Sequence, residues 1–290
     1  MYIKVKYSYE VFMKKNFHSV FAIGLLATCF ILPACSDSGS NSSDESAIKS
    51  STSADAPESQ ANSEPTYTIT LDSSGFADIQ AVYQSIQPNE KAIFIVRHGE
   101  RGFNTTKETP LTENGVEQAL TVGRKLVGPE DFDYISTDFV RTKETCENIA
   151  LGRGQTTFPY ESNETYVRST FVKDDDLFDS YQDGKKINSH VVITKWAYDG
   201  DYADAFYDLK ETCESVVANT FQAVKNKITV ICSHDEFIVP MLVYLTDKQA
   251  DVKLHETYKW LTNLAGVAVI IDENGNRRAY AVKGLDKGTE

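Results

Sequence analysis

The tetrapeptide Arg97-His98-Gly99-Glu100 places a histidine, which can act as a nucleophile, beside a permanent cation. It follows an apolar run, Ala92 to Val96, that is typical of a strand buried on both faces. In open α/β sheets ligands bind at the carboxyl ends of the parallel strands, so His98 is predicted to lie where a ligand would bind. A neutral imidazole can attack a phosphoryl group, and guanidinium groups match phosphate oxygens two at a time. The pattern therefore predicts phosphoryl transfer, which needs several cations around one histidine.

Two later segments can supply further groups at the same edge of the sheet. The run Ile228 to Cys232 is apolar and β-branched, and His234 lies just past its end, as His98 does on the earlier strand. Arg141 opens an amphipathic stretch, Val140 to Leu151, and backbone N–H groups at such a junction would favour an anion. We therefore expect His98, His234 and Arg141 to lie close together.

Four segments occur in an order that resembles the histidine phosphatase superfamily, which includes phosphoglycerate mutase-like and acid phosphatase-like enzymes. They are Arg97 to Arg101, Thr109 to Gly115, Ile135 to Thr142, and Cys232 to Asp235. The resemblance covers roughly Lys91 to Val282, and the combination of motifs is specific. It implies that His98 is the nucleophile and that Arg97, Arg141 and His234 contact the same phosphate.

Two further residues after the first motif are predicted to bind substrate. Arg101 matches an arginine that acid phosphatase-like members place after their Arg-His-Gly motif, although it could equally be an exposed loop cation. Asn104 occupies the place of an asparagine that often ends the motif in mutase-like members, and its alternative role is to form a turn.

The sequence offers three candidates for the general acid that must protonate the leaving oxygen. Asp235 directly follows His234, as in the His-Asp pair of acid phosphatase-like members, and is the first choice. Mutase-like members instead use a glutamate from a mid-chain loop, and Glu161 or Glu164 could take that role. Glu100 is expected to orient the nucleophile loop. The chain combines features of both branches, so the resemblance leaves the acid open.

The first third of the chain predicts where the protein works. Lys14 and Lys15 precede an apolar segment, Val20 to Leu32, that ends in small residues before Cys35. This is the pattern of a bacterial lipoprotein signal over residues 1–35, with Cys35 as the lipidation site and Met13 as the natural start. An uncleaved anchor or an ordinary secretion signal is the alternative. We expect a lipid-anchored protein of the bacterial cell envelope, facing the periplasm or the exterior, with Cys35 its only membrane attachment.

Residues 36–65 are rich in Ser, Asp, Glu and Asn and nearly lack large apolar side chains, so they predict a disordered tether. Residues 66–290 alternate strand and helix patterns, which predicts one three-layer α/β/α domain with a mostly parallel sheet, as in phosphoglycerate mutase-like proteins. Thr112 to Leu126 and Ala205 to Val224 are predicted helices, and Ala265 to Val282 a hairpin. The Tyr- and Asp-rich residues 160–204 read either as a solvated loop or as a substrate cap.

Composition excludes some classes of function. The net charge is -13, from 42 acidic and 29 basic residues, which argues against nucleic acid as a partner. Cys146, Cys213 and Cys232 lie in apolar patterns, and buried free thiols are expected rather than a disulfide. No spacing of zinc ligands is present, so we expect neither a metal nor a cofactor.

These observations predict a cell-envelope phosphomonoesterase that forms a phosphohistidine on His98 and acts on a phosphorylated small molecule or envelope component. The alternatives are a phosphotransferase or mutase of the same superfamily, and a surface lipoprotein that binds a phospholigand without turnover. The sequence leaves the leaving group and the oligomeric state undetermined.

Overall fold

The computed structural model of the chain describes residues 68–157, 160–185 and 187–290. The predicted signal with Met13 and Cys35, and the predicted tether over residues 36–65, lie outside the described residues. Within the described ranges, none of the helices combines the length and the apolar character that a membrane span requires.

Seven strands and eight α-helices alternate along the described chain. The strands are β1 (Phe76–Asp78), β2 (Lys91–Arg97), β3 (Phe132–Ser136), β4 (Tyr160–Ser162), β5 (Ile228–Ser233), β6 (Ala265–Ile271) and β7 (Arg277–Lys283). The helices are α1 (Ile79–Gln84), α2 (Glu113–Lys125), α3 (Val140–Gly152), α4 (Asp175–Lys185), α5 (Ser189–Asp199), α6 (Leu209–Ala223), α7 (Asp235–Leu245) and α8 (Leu254–Thr257).

All seven described strands form one sheet, in the order β1-β7-β6-β2-β5-β3-β4. Among them β6 alone runs against the others, pairing antiparallel with both β2 and β7. The central strands β2 and β5 are parallel, with Arg97 opposite Ser233, and the backbone N–H of His98 donates to the Ser233 carbonyl at 3.0 Å. This register brings His98 and His234 to adjacent strand ends.

Helices cover both faces of the sheet. On β2, the side chains of Ile93 and Ile95 belong to an apolar core with α5, α6 and α7. The alternate residues Ala92, Phe94 and Val96 belong to a second core with α1, α2 and α3. Successive side chains of a strand point to opposite faces, so a continuous apolar run supplies both cores. The predicted three-layer α/β/α domain with a mostly parallel sheet is confirmed.

The predicted helix from Thr112 is confirmed as α2. The Thr112 hydroxyl caps it by accepting a hydrogen bond from the Gly115 N–H at 3.0 Å. The predicted hairpin is also confirmed, because β6 and β7 pair around a turn in which Gly275 has φ +83°. Cys146, Cys213 and Cys232 are buried and free, as expected.

The helix predicted to start at Ala205 begins four residues later, at Leu209. Asp208 caps α6 by accepting from the Glu211 N–H at 2.8 Å, which sets the first turn. The Phe206 ring is stacked on Trp196 with centroids 4.1 Å apart, so Phe206 contributes to the apolar stripe from an extended segment instead of from the helix.

Residues 160–204 are more regular than the loose pattern indicated. The described part of this segment contains β4, α4 and α5. Buried aromatic side chains such as Phe178 and Trp196 pack it onto the main apolar core, from helices rather than from the loop that was one of the two interpretations. Most of its aromatic residues are core residues, and their spacing did not reveal a helix because Asp and Gly residues interrupt it.

Candidate active site

A cavity of about 640 Å³ opens at the carboxyl edge of the central strands. Its lining includes residues from β2, from the starts of α3, α5 and α7, and from the segment between β4 and α4. The charged and titratable side chains that line it are Arg97, His98, Arg101, Lys107, Asp138, Arg141, Glu164, Arg168, His190, His234, Asp235 and Glu236. Its walls therefore carry both signs of charge, with the cations concentrated around the strand ends.

His98 is buried directly after β2, and its ring is held in one orientation. Nδ1 lies 2.7 Å from the Gly99 carbonyl oxygen. Since a carbonyl only accepts, Nδ1 carries the proton and Nε2 keeps its lone pair. Burial holds the pKa of His98 well below its ordinary value, and the charges of His234 and Arg97 act in the same direction. His98 is therefore a neutral imidazole with a nucleophilic Nε2 at neutral pH.

The second histidine lies beside the first. The ring centroids of His98 and His234 are 5.4 Å apart, with the planes inclined by 65°. The Nε2 of His234 lies 2.9 Å from the Thr137 hydroxyl, and the ring meets Phe139 edge-on at 4.6 Å. Burial, together with the charge of Arg141, lowers the pKa of His234 to about 3, so this ring is also neutral at neutral pH.

Two guanidinium groups flank the histidines. Arg97, at the end of β2, donates through Nη1 to the Leu261 carbonyl and forms an ion pair with Glu290 at 3.2 Å. Arg141, in the first turn of α3, donates through Nη1 to the Thr106 carbonyl at 2.9 Å. The Nε atoms of both arginines are buried and have no hydrogen-bond partner among the described residues. Each guanidinium therefore has one buried N–H without a partner among the described residues.

Arg141 is a strongly perturbed cation. Burial lowers its pKa to about 10, and the charges of Arg101 and Arg97 add to this effect. Arg141 also stacks over the Phe139 ring at 4.3 Å. Like charges gathered in a partly buried site repel one another, and an anionic ligand would relieve that repulsion.

Arg101 and Asn104 differ in their relation to the cavity. Arg101 lines it, held by hydrogen bonds from Nη1 to the carbonyls of Gly102 and Asn104 at 2.9 and 3.0 Å. Asn104 is exposed, is not among the lining residues, and contacts Arg101 through its backbone. The structure therefore brings Arg101 to the site and does not bring the Asn104 side chain there, because the loop turns outward after Gly102.

Asp235 is buried and fully engaged. Its Oδ2 lies 3.0 Å from Nη2 of Arg97 and accepts from Nε1 of Trp260 at 3.0 Å, and its Oδ1 accepts from the Glu236 N–H. Burial alone would raise its pKa, but the charges of Arg97 and His190 and the hydrogen bond from Trp260 bring it down to about 2. The carboxyl group is ionised throughout the neutral range.

The two mid-chain glutamates lie in different cavities. Glu161 belongs to β4 and lines a separate cavity with Asp133 and Lys225. Glu164 lies past the end of that strand, lines the cavity that holds His98, and forms an ion pair with Lys107 at 3.2 Å. Glu164 is thus the mid-chain candidate that the structure brings to the site.

Glu100 holds the nucleophile loop. Its carboxylate accepts hydrogen bonds from the Thr112 hydroxyl at 2.7 Å and the Asn114 amide at 2.9 Å, both at the start of α2. Gly99 and Gly115 allow the two backbones to approach, because a Cβ on Gly115 would lie 2.0 Å from the Glu100 carbonyl oxygen. These contacts fix the position of His98 relative to α2.

The outer wall of the cavity is formed by Arg168, His190 and Glu236, which the sequence patterns did not identify as site residues. His190 of α5 stacks on Trp260 with centroids 4.2 Å apart, and its Nε2 lies 3.8 Å from Glu236. Arg168 donates to the same carboxylate at 3.4 Å. In the sequence, only Glu236 could have been linked to the site, because it follows His234 and Asp235 directly. His190 and Arg168 come from a segment without a motif, so packing alone places them there.

Comparison with protein families identifies a match over most of the globular region. A model of the histidine phosphatase superfamily (branch 1) matches residues 93–279. A curated relative from Salmonella paratyphi C, described as a probable phosphoglycerate mutase, is 37% identical over 68 residues, which are 21% of this chain and 32% of the relative. A relative of the same description from Salmonella typhi is 35% identical over 79 residues, or 25% of this chain and 37% of the relative. The matching segments thus span about a third of the length of these curated relatives.

Solved structures with a similar chain course include a phosphoglycerate mutase from Bacillus anthracis. It is 16% identical, with a TM-score of 0.47 over 68% of this chain and 93% of that one. A mycobacterial glucosyl-3-phosphoglycerate phosphatase is 14% identical, with a TM-score of 0.44 over 67% of this chain and 98% of that one.

Proposed function

Because the chain belongs to the histidine phosphatase superfamily (branch 1), we propose that it is a phosphomonoesterase that works through a phosphohistidine on His98. In the first step Nε2 of His98 attacks phosphorus, and the bond from phosphorus to the ester oxygen breaks. The general acid gives its proton to that oxygen, and the alcohol leaves. In the second step water gives a proton to the carboxylate that the acid has become and attacks phosphorus; the bond from phosphorus to Nε2 breaks, releasing inorganic phosphate and restoring the neutral imidazole.

The observation that carries this proposal is the fixed tautomer of His98 between two arginines. The hydrogen bond from Nδ1 to Gly99 leaves Nε2 unprotonated, and the lowered pKa keeps it so. Arg97 and Arg141 both line the same cavity and have unused donors. A phosphoryl group bound by these guanidiniums would meet the nucleophile with its charge already compensated.

We assign the general acid to Glu164 and give Asp235 a positioning role. An acid must hold a proton at the working pH, whereas Asp235 is ion-paired with Arg97 and its pKa is lowered to about 2. Glu164 lines the cavity, and its exposed carboxyl group can approach the ester oxygen of a bound substrate. A phosphate dianion bound nearby favours protonation of a neighbouring carboxylate. Lys107, its present partner, would then be released toward the anion.

The substrate class we propose is a phosphorylated small molecule or a phosphorylated component of the cell envelope. The outer wall carries Arg168, His190 and Glu236, a mixture of donors and acceptors suited to a polar leaving group such as a sugar hydroxyl. The strong overall negative charge of the chain supports a non-nucleic-acid substrate.

We further propose that the protein is anchored to a bacterial envelope membrane by lipid on Cys35. The support is the basic start, the apolar segment Val20 to Leu32 and the small residues before the cysteine. Expression with a labelled fatty acid should label the wild type and leave Cys35→Ser unlabelled. Equal labelling of both proteins, or none, would remove the anchor from this proposal.

The activity is tested with the full chain after dialysis against a chelator, using an aryl phosphate as substrate. We expect release of phosphate by the wild type and a loss of at least about a thousandfold in His98→Ala, because the nucleophile is gone. Brief reaction with a ³²P-labelled substrate followed by alkaline denaturation should retain acid-labile label on the wild type alone. Phosphate binding without turnover would instead indicate a phospholigand-binding protein.

A phosphotransferase or mutase is the second candidate, since the curated relatives are described as mutases. The two differ in what accepts the phosphoryl group from His98. With 3-phosphoglycerate as substrate, a phosphatase releases inorganic phosphate and glycerate, whereas a mutase yields the isomeric 2-phosphoglycerate.

A further inference from the structure

A second cluster of polar side chains lies outside the cavity, where the end of α5 meets α8. Asp199 is the last residue of α5, and His255 and Glu256 belong to α8. The Nε2 of His255 lies 3.1 Å from Oδ2 of Asp199 and 3.8 Å from Oε1 of Glu256. One donor atom from each of the three residues lies within 4.8 Å of the other two. Helix packing thus brings an imidazole nitrogen together with two carboxylates.

The imidazole of His255 is oriented and buried as metal-binding histidines are. Its side chain is only 6% exposed. Nδ1 lies 3.2 Å from the Thr194 hydroxyl, which in turn donates to the His190 carbonyl. Because that hydroxyl proton is used, Nδ1 donates to Thr194, and Nε2 is the nitrogen left with a lone pair.

The Nε2 atom makes no hydrogen bond to any described residue, despite the short distance to Asp199. The ring nitrogen therefore does not point along the line to Oδ2. A buried polar atom without a partner is costly and calls for an explanation. A cation bound by the three residues would explain this atom. The lone pair of Nε2 would then point at the ion, and Oδ2 of Asp199 would lie to one side of that direction.

The distances fit a small ion. With bonds of about 2.1 Å and tetrahedral angles, two ligand atoms of zinc lie about 3.4 Å apart. The two distances from Nε2, 3.1 and 3.8 Å, bracket this value. A set of one nitrogen and two oxygens suits a borderline divalent transition metal, whereas Ca²⁺ needs six to eight oxygen ligands. We propose that Asp199, His255 and Glu256 form a site for Zn²⁺, with water completing the coordination.

One cation of the protein already lies near this cluster. Lys253 pairs with the other carboxylate oxygen of Glu256 at 3.4 Å and lies over the Tyr198 ring. Lys253 does not occupy Oε1 of Glu256 or the Asp199 carboxylate, so these oxygens can bind the ion. The lysine lowers the net negative charge of the site, so we expect moderate affinity.

The ion would join α5, which lines the phosphate cavity through His190, to a segment that contacts the lining residues. His190 lies in the first turn of α5, and the chain after α8 carries Trp260, which stacks on His190 and donates to Asp235. Cross-linking the far end of α5 to α8 would stabilise this wall. Binding to the folded state alone raises stability with ligand concentration, so Zn²⁺ should raise the Tm.

The test is calorimetric titration of Zn²⁺ into the chelator-treated full chain, with a thermal melt of each sample. The variants are Asp199→Asn and Glu256→Gln, which change half-exposed to exposed side chains and leave the buried His255 in place. Asp201→Asn is the matched control, since Asp201 is an exposed aspartate two residues away that pairs with Lys195.

We expect one saturable Zn²⁺ site in the wild type, a loss of affinity of at least about tenfold in Asp199→Asn and Glu256→Gln, and none in Asp201→Asn. Ca²⁺ should not compete. X-ray absorption at the zinc edge should show nitrogen and oxygen ligands alone. Absence of a saturable site, sulfur ligation, or equal affinity in Asp199→Asn and Asp201→Asn would overturn the proposal. None of these readouts depends on phosphatase activity.

Discussion

The carboxylate of Asp235 lies 3.0 Å from the guanidinium of Arg97, although Asp235 directly follows the second histidine of the site. The same oxygen accepts the indole N–H of Trp260, so two donors converge on it. A carboxylate held in this way orients the arginine and stays ionised. This ion pair therefore favours a positioning role for Asp235 over the role of general acid that the sequence had offered it.

Glu164→Gln should lower kcat by about a hundredfold to a thousandfold with an alkyl phosphate, because a poor leaving alcohol needs a proton from the acid. The loss should be much smaller with p-nitrophenyl phosphate, whose leaving group departs as the anion. Asp235→Asn should raise KM for both substrates similarly, through loss of the Arg97 ion pair.

The matched control for this comparison is Glu161→Gln, since Glu161 lines the neighbouring cavity. It should leave kcat and KM unchanged for both substrates. A leaving-group dependence that appears in Asp235→Asn and not in Glu164→Gln would transfer the acid role back to Asp235. Steady-state kinetics of the four proteins decide between these outcomes.

Arg141→Lys should lower kcat/KM by about tenfold to a hundredfold, which corresponds to the loss of one charge-assisted hydrogen bond. Lysine keeps the charge but lacks the planar pair of donors that matches phosphate oxygens. Arg124→Lys, an exposed arginine that pairs with Glu117 on α2, is the control and should behave as the wild type. Unchanged kinetics in Arg141→Lys would place this arginine outside the phosphate site.

Acid should destabilise the fold in a defined range of pH. Burial lowers the pKa of His234 from 6.5 to about 3, so between these values the unfolded chain binds a proton that the folded chain does not. The free energy of unfolding therefore falls as the pH drops from 6.5 toward 3. Asp235, with its pKa lowered to about 2, adds a further loss only below pH 4.

Denaturant unfolding at intervals from pH 7 to pH 4 measures this effect. His234→Gln should flatten the pH dependence in that range, even if its stability at pH 7 is lower through loss of the contact with Thr137. If the free energy of unfolding of His234→Gln falls with pH as steeply as that of the wild type, the protonation of His234 does not contribute to acid destabilisation.

Gly115→Ala should destabilise the protein by about 1–3 kcal/mol and reduce activity, because its Cβ would lie 2.0 Å from the Glu100 carbonyl oxygen. The backbones of the nucleophile loop and α2 would have to separate, and His98 would move with the loop. Gly102→Ala in the same loop has open space around the added Cβ and should change stability by less than about 0.5 kcal/mol. Thermal and denaturant unfolding compare the two variants, and equal effects would contradict the close-approach argument.

Much of the site could be predicted from the sequence because its residues are tied to local patterns. His98 and His234 each follow an apolar run, and parallel pairing of β2 with β5 makes them neighbours. Arg141 starts a periodic stretch that becomes α3, and Thr112 is a cap that side-chain chemistry identifies. Strand ends, caps and helical periodicity arise from interactions between residues close in the chain, so they are visible without the fold.

Other features depend on contacts between distant parts of the chain. Glu161 and Glu164 are equivalent candidates in the sequence, but the end of β4 directs them into different cavities. The His190 side chain meets Trp260 only because α5 packs against the segment after α8. The sequence predicted no metal ligands, since Asp199 and His255 are far apart in the chain and no spacing rule connects them.

The sequence alone determined the family resemblance, the main strands and helices around the site, and the residues available for phosphoryl transfer. Tertiary structure decided that the Asp235 carboxylate is ionised, which glutamate lines the cavity that holds His98, and which polar groups meet away from the cavity. The reason is physical: burial and neighbouring charges set the protonation of a side chain, and both are fixed by packing rather than by position in the chain.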